Sequence, residues 1–377
     1  MKADVEMSAP LEAVSFDPLS RDLPVDAWKA LARNALDPNP FFSPEFLRPF
    51  LKNLKVKGLR LATVRNKRSG DWLLSCPVGH GPAGLAVPIA KVWTSDYAPL
   101  GTPLMHQDAG PEHVDLFFKA SSGPLGVLAL PFLPLASATA ERLQAPDRLA
   151  TAIYSRSRRA AHASGPEGEA QLADAFKGKR RKEMRRLLRK LEEHGDVSFE
   201  SITGPKVGEH FDAFLKLEAG GWKGRGQTAL ASNAQTVHFS QDAIAAFSRS
   251  GSIRIDELRA GDRLIASIVC FVQNGHVLTW KIAFDEEFGR YSPGAQLVLF
   301  TFRENLALPD FKFADSLAIP GHPMIEPLWR GRLETGTLIL SAQPLAEAKI
   351  QLCGADLALE RNLRNVARAA RARFRFP

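Results

Sequence analysis

The sequence Leu278–Leu297, LTWKIAFDEEFGRYSPGAQL, combines a strand, a loop and a helix start in one short stretch. Its first part is rich in apolar and β-branched residues and predicts a strand over 277–284. An acidic loop follows, and Ser-Pro-Gly at 292–294 then provides a favoured cap and a proline in the first turn. The stretch therefore predicts a strand, a loop and a helix over Ala295–Leu306.

The beginning of that helix suits an anion. First-turn N–H groups lack intrahelical partners and lie at the positive end of the helix dipole. Gly294 would permit close approach, and Arg290 would add a charge-assisted contact. An ordinary capped helix has the same sequence, so these residues alone leave both interpretations open.

Short strands and helices alternate on both sides of a region of small and polar residues at 155–170. Strands are predicted at Leu59–Val64, Trp72–Val78, Lys91–Thr94, Val197–Ser201, Ser252–Leu258, Leu264–Val272, His276–Phe284 and Lys312–Ile319, and helices at Val25–Leu36 and 208–219. This order favours an α+β fold, and we expect an N-terminal domain over 1–154, a linker over 155–176 and a C-terminal domain over 177–377.

The two halves share short patterns. Gly70–Leu74 is similar to Gly261–Ile265, and Tyr97–Gly101 is similar to Tyr291–Gly294. Chance matching of short glycine and proline patterns is one explanation. The conserved order and spacing of the two matches favour the other, a duplicated α+β unit.

The charge is concentrated in two segments. The chain of 377 residues has a net charge of +8, of which Lys177–Lys190 carries +8 and Arg361–Pro377 carries +6, so the remainder is acidic. Both segments have apolar residues at helical spacing and predict amphipathic helices. The ordinary interpretation is two surface helices whose apolar stripes dock on the core; the alternative is an anionic partner such as nucleotide phosphate, RNA or acidic lipid.

The sequence contains no pattern typical of disulfides, metal sites, signal peptides or membrane-spanning segments. The three cysteines are far apart, which argues against disulfides and thiolate zinc sites and favours a reducing compartment. The polar residues His106, Asp108, Glu112 and His113 lack ligand spacing, so no metal is expected. The N-terminal residues do not resemble a signal peptide, and prolines interrupt the uncharged stretch Ala120–Ala140, so we expect a cytoplasmic protein without an integral membrane segment.

At this point the chain resembles a family. The segment 278–297 looks like the core signature of the cellulose-biosynthesis, CelD-like acetyltransferases of the GNAT superfamily. Similar stretches occur in the same order at Asn39–Phe46, Tyr97–Leu104, Arg180–Leu191 and Glu218–Gly224. The resemblance implies tandem GNAT-like domains related to Fem-type aminoacyltransferases, each a mostly antiparallel twisted sheet flanked by helices.

The resemblance also implies an acyl-CoA cosubstrate, such as acetyl-CoA, bound without a metal in the C-terminal half. Its pantetheine would lie between the strand ending at Phe284 and the strand at Lys312–Ile319, which separate in this fold. The residues that would cradle its pyrophosphate are Arg290, Tyr291, Ser292, Gly294 and Ala295. Relatives carry a glycine-rich turn and a Tyr-Lys pair after the last of these strands, whereas this chain reads DSLAIPGHPM over 315–324.

Acyl transfer needs a base for the acceptor proton and donors for the oxyanion. The candidate catalytic residues are Asp315, His322, Asp285 and Lys281. Asp315 interrupts an apolar strand, where a carboxylate is costly unless it is used or paired; a structural salt bridge is the alternative, and Lys281 would pair with Asp285 or Asp315. Trp222 and Lys223, in a glycine-rich loop, would bind the acceptor.

The predicted function is an acyl-CoA-dependent N- or O-acetyltransferase acting on a sugar or amine acceptor, in envelope or exopolysaccharide biosynthesis. Two alternatives remain open: a Fem-like aminoacyltransferase that uses aminoacyl-tRNA, with Lys177–Lys190 on the RNA, and a non-catalytic binding module with a degenerate site. The sequence leaves the acceptor and the oligomeric state open.

Overall fold

The computed structural model of the chain describes residues 10–373, in two compact units. The first unit takes up the chain as far as Pro44, Lys57–Ser157 and the chain from Glu334 onward. The second unit takes up Glu45–Val56 and Arg158–Leu333. Each unit is therefore built from separate pieces of sequence.

A mostly antiparallel sheet forms the first unit. Its strands lie in the order β1, β2, β3, β4, β6 and β13, β5 pairs with β3, and the contact between β4 and β6 is parallel. The elements are β1 (Leu11–Phe16), α1 (Val25–Arg33), β2 (Arg60–Asn66), β3 (Trp72–Pro82), β4 (Pro88–Val92), β5 (Leu104–Met105), α3 (Pro111–Ser121), β6 (Val127–Pro134), α4 (Ala138–Leu143), β13 (Gly331–Ala342) and α11 (Ala346–Arg373).

The second unit also has a mostly antiparallel sheet. Its order is β7, β12, β11, β10, β9 and β8, and the pair of β11 with β12 is parallel. The elements are α2 (Pro44–Leu54), β7 (Leu149–Ala163, begun in the first unit), α5 (Gly165–Ala175), α6 (Gly178–Leu191), β8 (Val197–Ile202), α7 (Val207–Gly220), α8 (Trp222–Arg225), α9 (Ala234–Ser250), β9 (Ile253–Ala260), β10 (Arg263–Gln273), β11 (His276–Phe284), α10 (Pro293–Ala307) and β12 (Phe313–Asp315). The predicted α+β class, with mostly antiparallel strands flanked by helices, is confirmed.

Both faces of the second sheet are covered. On one face, Phe46 of α2 contacts Phe239 of α9, Phe271 of β10 and Trp280 of β11 edge-on. On the other, α10 buries Leu297 and its neighbours in the core cluster of this unit. The long apolar runs of β10 and β11 follow from this double burial.

The predicted linker is regular structure. Residues 155–163 belong to β7, and 165–175 form α5. The alanines there gave no apolar period, yet Ala160 and Ala161 are buried and Ala163 pairs with Phe313 of β12. Small side chains can fill a close-packed interior without showing a hydrophobic pattern. The predicted boundary near 155–176 adjoins the unit boundary at 157–158, but the first unit also takes up the chain from Glu334, which we had expected in the second.

Two other sequence patterns have different outcomes in the structure. Gly70 and Gly261 both have positive φ angles in turns that lead into strands, so this part of the apparent repeat has a common local structure. The segment Tyr97–Gly101 leads to the short strand β5, whereas Tyr291–Gly294 leads into α10. The predicted strand over 312–319 is only Phe313–Asp315, because Leu317 adopts a left-handed conformation with φ 50°.

The two basic helices differ in how they dock. In α6, Met184 and Leu191 are buried as the stripe predicts. In α11, Leu359, Leu363 and Val366 are exposed, so the predicted docking of that stripe is wrong for these residues. The helix instead buries Ile350, Cys353 and Leu357, which lie nearer its start. Ala370 and Phe374, which continue the predicted stripe, lie outside the described side chains.

The uncharged stretch 120–140 contains the end of α3, strand β6 and the start of α4. Over residues 10–373, none of the helices combines the length and apolar character needed to cross a membrane.

Candidate active site

Strands β11 and β12 pair only briefly before they part. Their parallel register joins His276 to Phe313, Val277 to Ala314 and Leu278 to Asp315. Strand β12 then ends, whereas β11 continues to Phe284. On the edge that faces away from β10, the second half of β11 therefore borders a cleft. The family resemblance implies such a separation of the two strands.

A bulge shapes β11 at the start of this cleft. The register against β10 shifts between Val269 and Cys270, so that Val269 opposes Lys281 and Cys270 opposes Thr279. Trp280 is the extra residue, and its ring packs among the phenylalanines of the α2, α7 and α9 side. Bulges bend a strand and redirect its side chains. This one separates the aromatic core from the part of β11 that borders the cleft.

The predicted cofactor residues meet at the start of α10. Asp285 caps a short 3₁₀ helix, Glu286–Tyr291, and accepts a hydrogen bond from the Glu287 amide at 3.1 Å. Ser292 then adopts φ 55° and makes no side-chain cap to α10. The first turn of α10 is therefore not capped by its own serine, in contrast to the expected cap.

Met324 covers Gly294. A Cβ added at Gly294 would collide with Sδ and Cε of Met324, so the thioether lies directly over the first turn of α10. The absence of a side chain at Gly294 is therefore explained by Met324 without a phosphate. The space over the first turn of α10 is filled by a side chain that is long, unbranched and flexible.

The other residues expected to contact the pyrophosphate differ in how exposed they are. Arg290 is exposed, and its guanidinium lies 4.8 Å from the centre of the Tyr291 ring. Tyr291 is buried, and its Oη lies 2.8 Å from Nε2 of His194. Ser292 and Ala295 are half-buried. Arg290 is free to turn toward a ligand, whereas Tyr291 is part of the packing beneath it.

The glycine-rich segment after α7, which we expected to be a loop, forms the short helix α8 and approaches the cleft. Nζ of Lys223 donates to the Ile282 carbonyl of β11 at 2.8 Å and to Oε1 of the buried Glu218 at 3.0 Å. The Trp222 amide donates to Oε1 of Glu286 at 2.5 Å, and the Trp222 ring is 59% exposed. Lys223 therefore satisfies a β11 carbonyl that the parting of the strands leaves unpaired, and Trp222 lies at the entrance.

His322 lies between two cavities. It lines one of about 90 Å³ with Ile282, Phe284, Lys223 and Met324, and a larger one of about 520 Å³. Its Nδ1 atom is buried without a hydrogen-bond partner among the described residues. Burial and the charge of Lys223 lower the pKa of His322, while Glu326 raises it, and the net effect is a pKa below the usual value. His322 is therefore neutral at pH 7.

The candidate carboxylates are both in ion pairs. Asp315 is buried, accepts from Nη2 of Arg159 at 2.5 Å and also accepts from the Leu317 amide. Asp285 pairs with Arg263 at 2.6 Å. An arginine therefore pairs with each carboxylate, and Nζ of Lys281 lies 5.9 Å from the centre of the Trp280 ring.

The larger cavity has a basic lining that the sequence analysis missed. Arg180 donates to the Pro327 carbonyl at 2.8 Å, Arg332 pairs with Glu326 at 3.0 Å, and Arg330 pairs with Asp174. In the sequence, Arg330 and Arg332 lie on either side of Gly331, directly after the buried Trp329. This pair of arginines is the sequence pattern that could have indicated the basic lining. The described residues contain no group of three or more His, Cys, Asp or Glu side chains placed to hold a metal.

The model of the acetyltransferase (GNAT) domain family matches residues 178–313. This match supports an acyltransferase, the enzyme class predicted from the sequence. The matched segment runs from α6 to the first residue of β12, so it includes the strand-to-helix turn and one side of the cleft. No curated protein matches the chain.

Solved structures of similar fold cover most of the chain. FemX is 8% identical, with a TM-score of 0.55 over 90% of this chain and 99% of FemX. The C-terminal DUF2156 domain of a proposed lysylphosphatidylglycerol synthetase from Agrobacterium fabrum is 12% identical, with a TM-score of 0.53 over 88% of this chain and 95% of that one. A conserved protein of unknown function from Bacteroides thetaiotaomicron is 10% identical, with a TM-score of 0.50 over 86% of this chain and 99% of that one. At these identities the similarity concerns the fold.

Proposed function

We propose that this chain is an acyl-CoA-dependent N- or O-acetyltransferase of the CelD-like type, which acylates a sugar or amine acceptor in the cytoplasm for envelope or exopolysaccharide biosynthesis. The observation that carries the proposal is the position of His322, a neutral imidazole at the junction of the β11 cleft and the basic cavity. A base in that position can serve a donor on one side and an acceptor on the other.

Acetyl-CoA would supply the thioester. Its pyrophosphate would meet the first turn of α10, with Arg290, Ser292, Gly294 and Ala295 around it, and its pantetheine would follow β11. Met324 lies over Gly294, so binding requires its side chain to turn away. The flexibility of methionine makes this movement inexpensive, and the residues therefore fit the cosubstrate once Met324 has moved.

His322 is the base that the geometry favours. Asp315 and Asp285 are already engaged in ion pairs with Arg159 and Arg263. The imidazole would take the proton from the acceptor amine or hydroxyl as that atom attacks the thioester carbonyl. Lys223, which carries a positive charge at the same cavity, would stabilise the developing oxyanion.

The first test is calorimetric titration with acetyl-CoA, with free CoA in parallel, followed by release of the CoA thiol in the presence of candidate acceptors. We expect saturable binding of acetyl-CoA. Arg290→Gln should weaken it, while the exposed Arg249→Gln, a matched loss of charge on α9, should not. A folded chain that binds no acetyl-CoA would refute the proposal.

His322→Gln tests the base. We expect the turnover number to fall by roughly a hundredfold or more, with the acetyl-CoA affinity unchanged. Because the base must be neutral and its pKa is lowered, the acidic limb of the kcat/KM profile of the unaltered chain should lie below about pH 6.5. A limb above that pH, or full turnover in the variant, would assign the base to another residue.

A second candidate function is aminoacyl transfer from aminoacyl-tRNA. It is favoured by α6, whose exposed face carries most of the nine basic residues of Lys177–Lys190, and the resemblance includes Fem-type enzymes. It predicts that tRNA binds tightly and that the affinity falls steeply with salt. If neither acetyl-CoA nor aminoacyl-tRNA binds, a non-catalytic binding module is the remaining interpretation.

A further inference from the structure

A third cavity lies between α6 and α10, away from the cleft. It has a volume of about 250 Å³ and apolar walls that include Phe176, Leu188, Phe199 and Phe300. Phe199 and Phe300 stack at 5.1 Å between ring centres. None of the residues that line it also lines the cleft or the basic cavity. The apolar walls favour an apolar group of small size.

Two arginines complete the lining. Arg185 extends from α6 and Arg303 from α10, and the guanidinium of Arg303 lies 5.1 Å from the centre of the Phe176 ring. Within the described part of the chain, neither forms an ion pair with a carboxylate, whereas the adjacent Arg186 pairs with Glu183 at 2.7 Å. Partial burial and the charge of Arg185 both lower the pKa of Arg303. Two like charges therefore meet at one apolar cavity without a counter-ion from the chain.

The cavity is held in place by a contact between its two helices. Nε2 of the buried Gln296, one turn after the start of α10, donates to the Met184 carbonyl of α6 at 2.7 Å. This hydrogen bond fixes the distance between the helices that carry Arg185 and Arg303. The two helices that carry these arginines are thus held together before any ligand arrives, which lowers the cost of binding.

We propose that this cavity binds an anionic amphiphile, with a short apolar chain or ring between α6 and α10 and a carboxylate or phosphate head between Arg185 and Arg303. Arginine binds such heads through charge-assisted, bidentate hydrogen bonds. The basic surface of α6 would attract the anion, and the aromatic walls would bury its apolar part. The site shares no lining residue with the β11 cleft or with the basic cavity.

Calorimetry with octanoate, octyl phosphate and octanol tests the proposal. We expect saturable binding of at least one anion and at least tenfold weaker binding of octanol, since octanol cannot form charge-assisted hydrogen bonds with the arginines. Whichever anion binds more tightly identifies the head group. Octanol binding as tight as that of both anions would overturn the proposal, and so would the absence of saturable anion binding.

Variants locate the site. Arg185→Gln with Arg303→Gln should weaken anion binding about tenfold or more, while Arg189→Gln, which removes the same charge from α6 outside the cavity, should change it little. Leu188→Trp should block the cavity and abolish binding of the apolar chain. Equal losses in the Arg189 variant and the double variant would show general attraction by α6 and refute the site. Circular dichroism and acetyl-CoA titration of each variant test the fold and the separate cleft.

Discussion

Gly294 and Met324 occupy one space at the start of α10. In the sequence, Gly294 permits the close approach of a phosphate, and an ordinary capped helix is the alternative interpretation. In the structure the close neighbour is a thioether from a residue thirty positions later. A pattern in one segment cannot distinguish a ligand from a distant side chain, because both demand the absence of a Cβ.

A double-mutant cycle tests whether Met324 is the reason for the glycine at position 294. Gly294→Ala should lower the free energy of unfolding by about 1 kcal/mol or less, because the new methyl group forces only the flexible end of Met324 to turn aside. In a Met324→Ala background the same change should cost much less. Denaturant unfolding of the four proteins measures the coupling, and additive costs would show that Met324 does not fill this space in solution.

The buried pair of Asp315 and Arg159 gives a second prediction at this scale. Asp315→Asn should lower the free energy of unfolding by about 3–5 kcal/mol, since it leaves the Arg159 charge buried without its carboxylate. Asp315→Leu combined with Arg159→Met should recover most of the loss. Chemical denaturation compares them; a stable single variant with reduced turnover would instead return Asp315 to the catalytic candidates.

The elements around the cleft were largely predictable, but their partners were not. Strong periodicity and a proline-containing helix start made β11 and α10 clear from the sequence, and the structure has them at His276–Phe284 and Pro293–Ala307. The segment after β12 carries His322 without regular structure, so periodicity gave no information on where it would lie. Arg159 was hidden in a stretch of small and polar residues that looked like a linker. Long-range pairs of this kind have no local signature.

The side chain of Asp356 connects helix α11 to the turn between β3 and β4. Asp356 accepts hydrogen bonds from the backbone amides of Gly84, Leu85, Ala86 and Val87, in the turn between β3 and β4. Burial opposes its ionisation, but these four donors prevail and lower the pKa of Asp356 to about 2. One side chain thereby satisfies a whole turn of backbone N–H groups.

Asp356→Asn tests this attachment. The amide carries no charge and can accept with only one of its two polar atoms, so we expect the free energy of unfolding to fall by about 1.5–3 kcal/mol at pH 7. Because the pKa is lowered on folding, the benefit of the carboxylate is complete above its ordinary value of 3.8 and disappears as the pH falls toward 2. Denaturant unfolding of the unaltered chain and the variant should show that the difference in their free energies of unfolding decreases as the pH falls from 3.8 toward 2. A difference that stays constant would show that the charge of Asp356 does not cause it.

At the scale of the whole molecule, the sequence predicts two successive halves, whereas the chain exchanges segments between its two units. Residues 45–56 leave the first unit to place α2 in the second, and the residues from Glu334 return to the first. Composition and turn signals indicate where the chain is polar. They contain no information on which distant segment pairs with a given strand. The sequence predicts one boundary near 155–176, whereas the chain passes between the two units after Pro44, Val56, Ser157 and Leu333.

Expression of the predicted halves tests this arrangement. A fragment of residues 1–154 lacks β13, whose Thr335–Ser341 pair with β6, and would expose that strand edge. A fragment of residues 177–377 lacks α2, and would expose the aromatic faces of Phe239 and Trp280. We expect both to aggregate or to lack cooperative unfolding in circular dichroism. A soluble, cooperatively unfolding fragment of either kind would contradict the division.

The exchange of segments also orders events during synthesis on the ribosome. The first unit is begun first, but its sheet lacks β13 until Glu334 and the residues after it have been made, because they belong there. The second unit has all its segments once Leu333 has left the ribosome. The later-encoded unit is therefore the earlier one to be complete, and the N-terminal strands must wait for it with an unpaired edge. A nascent chain stalled near that point would be the form most in need of a chaperone.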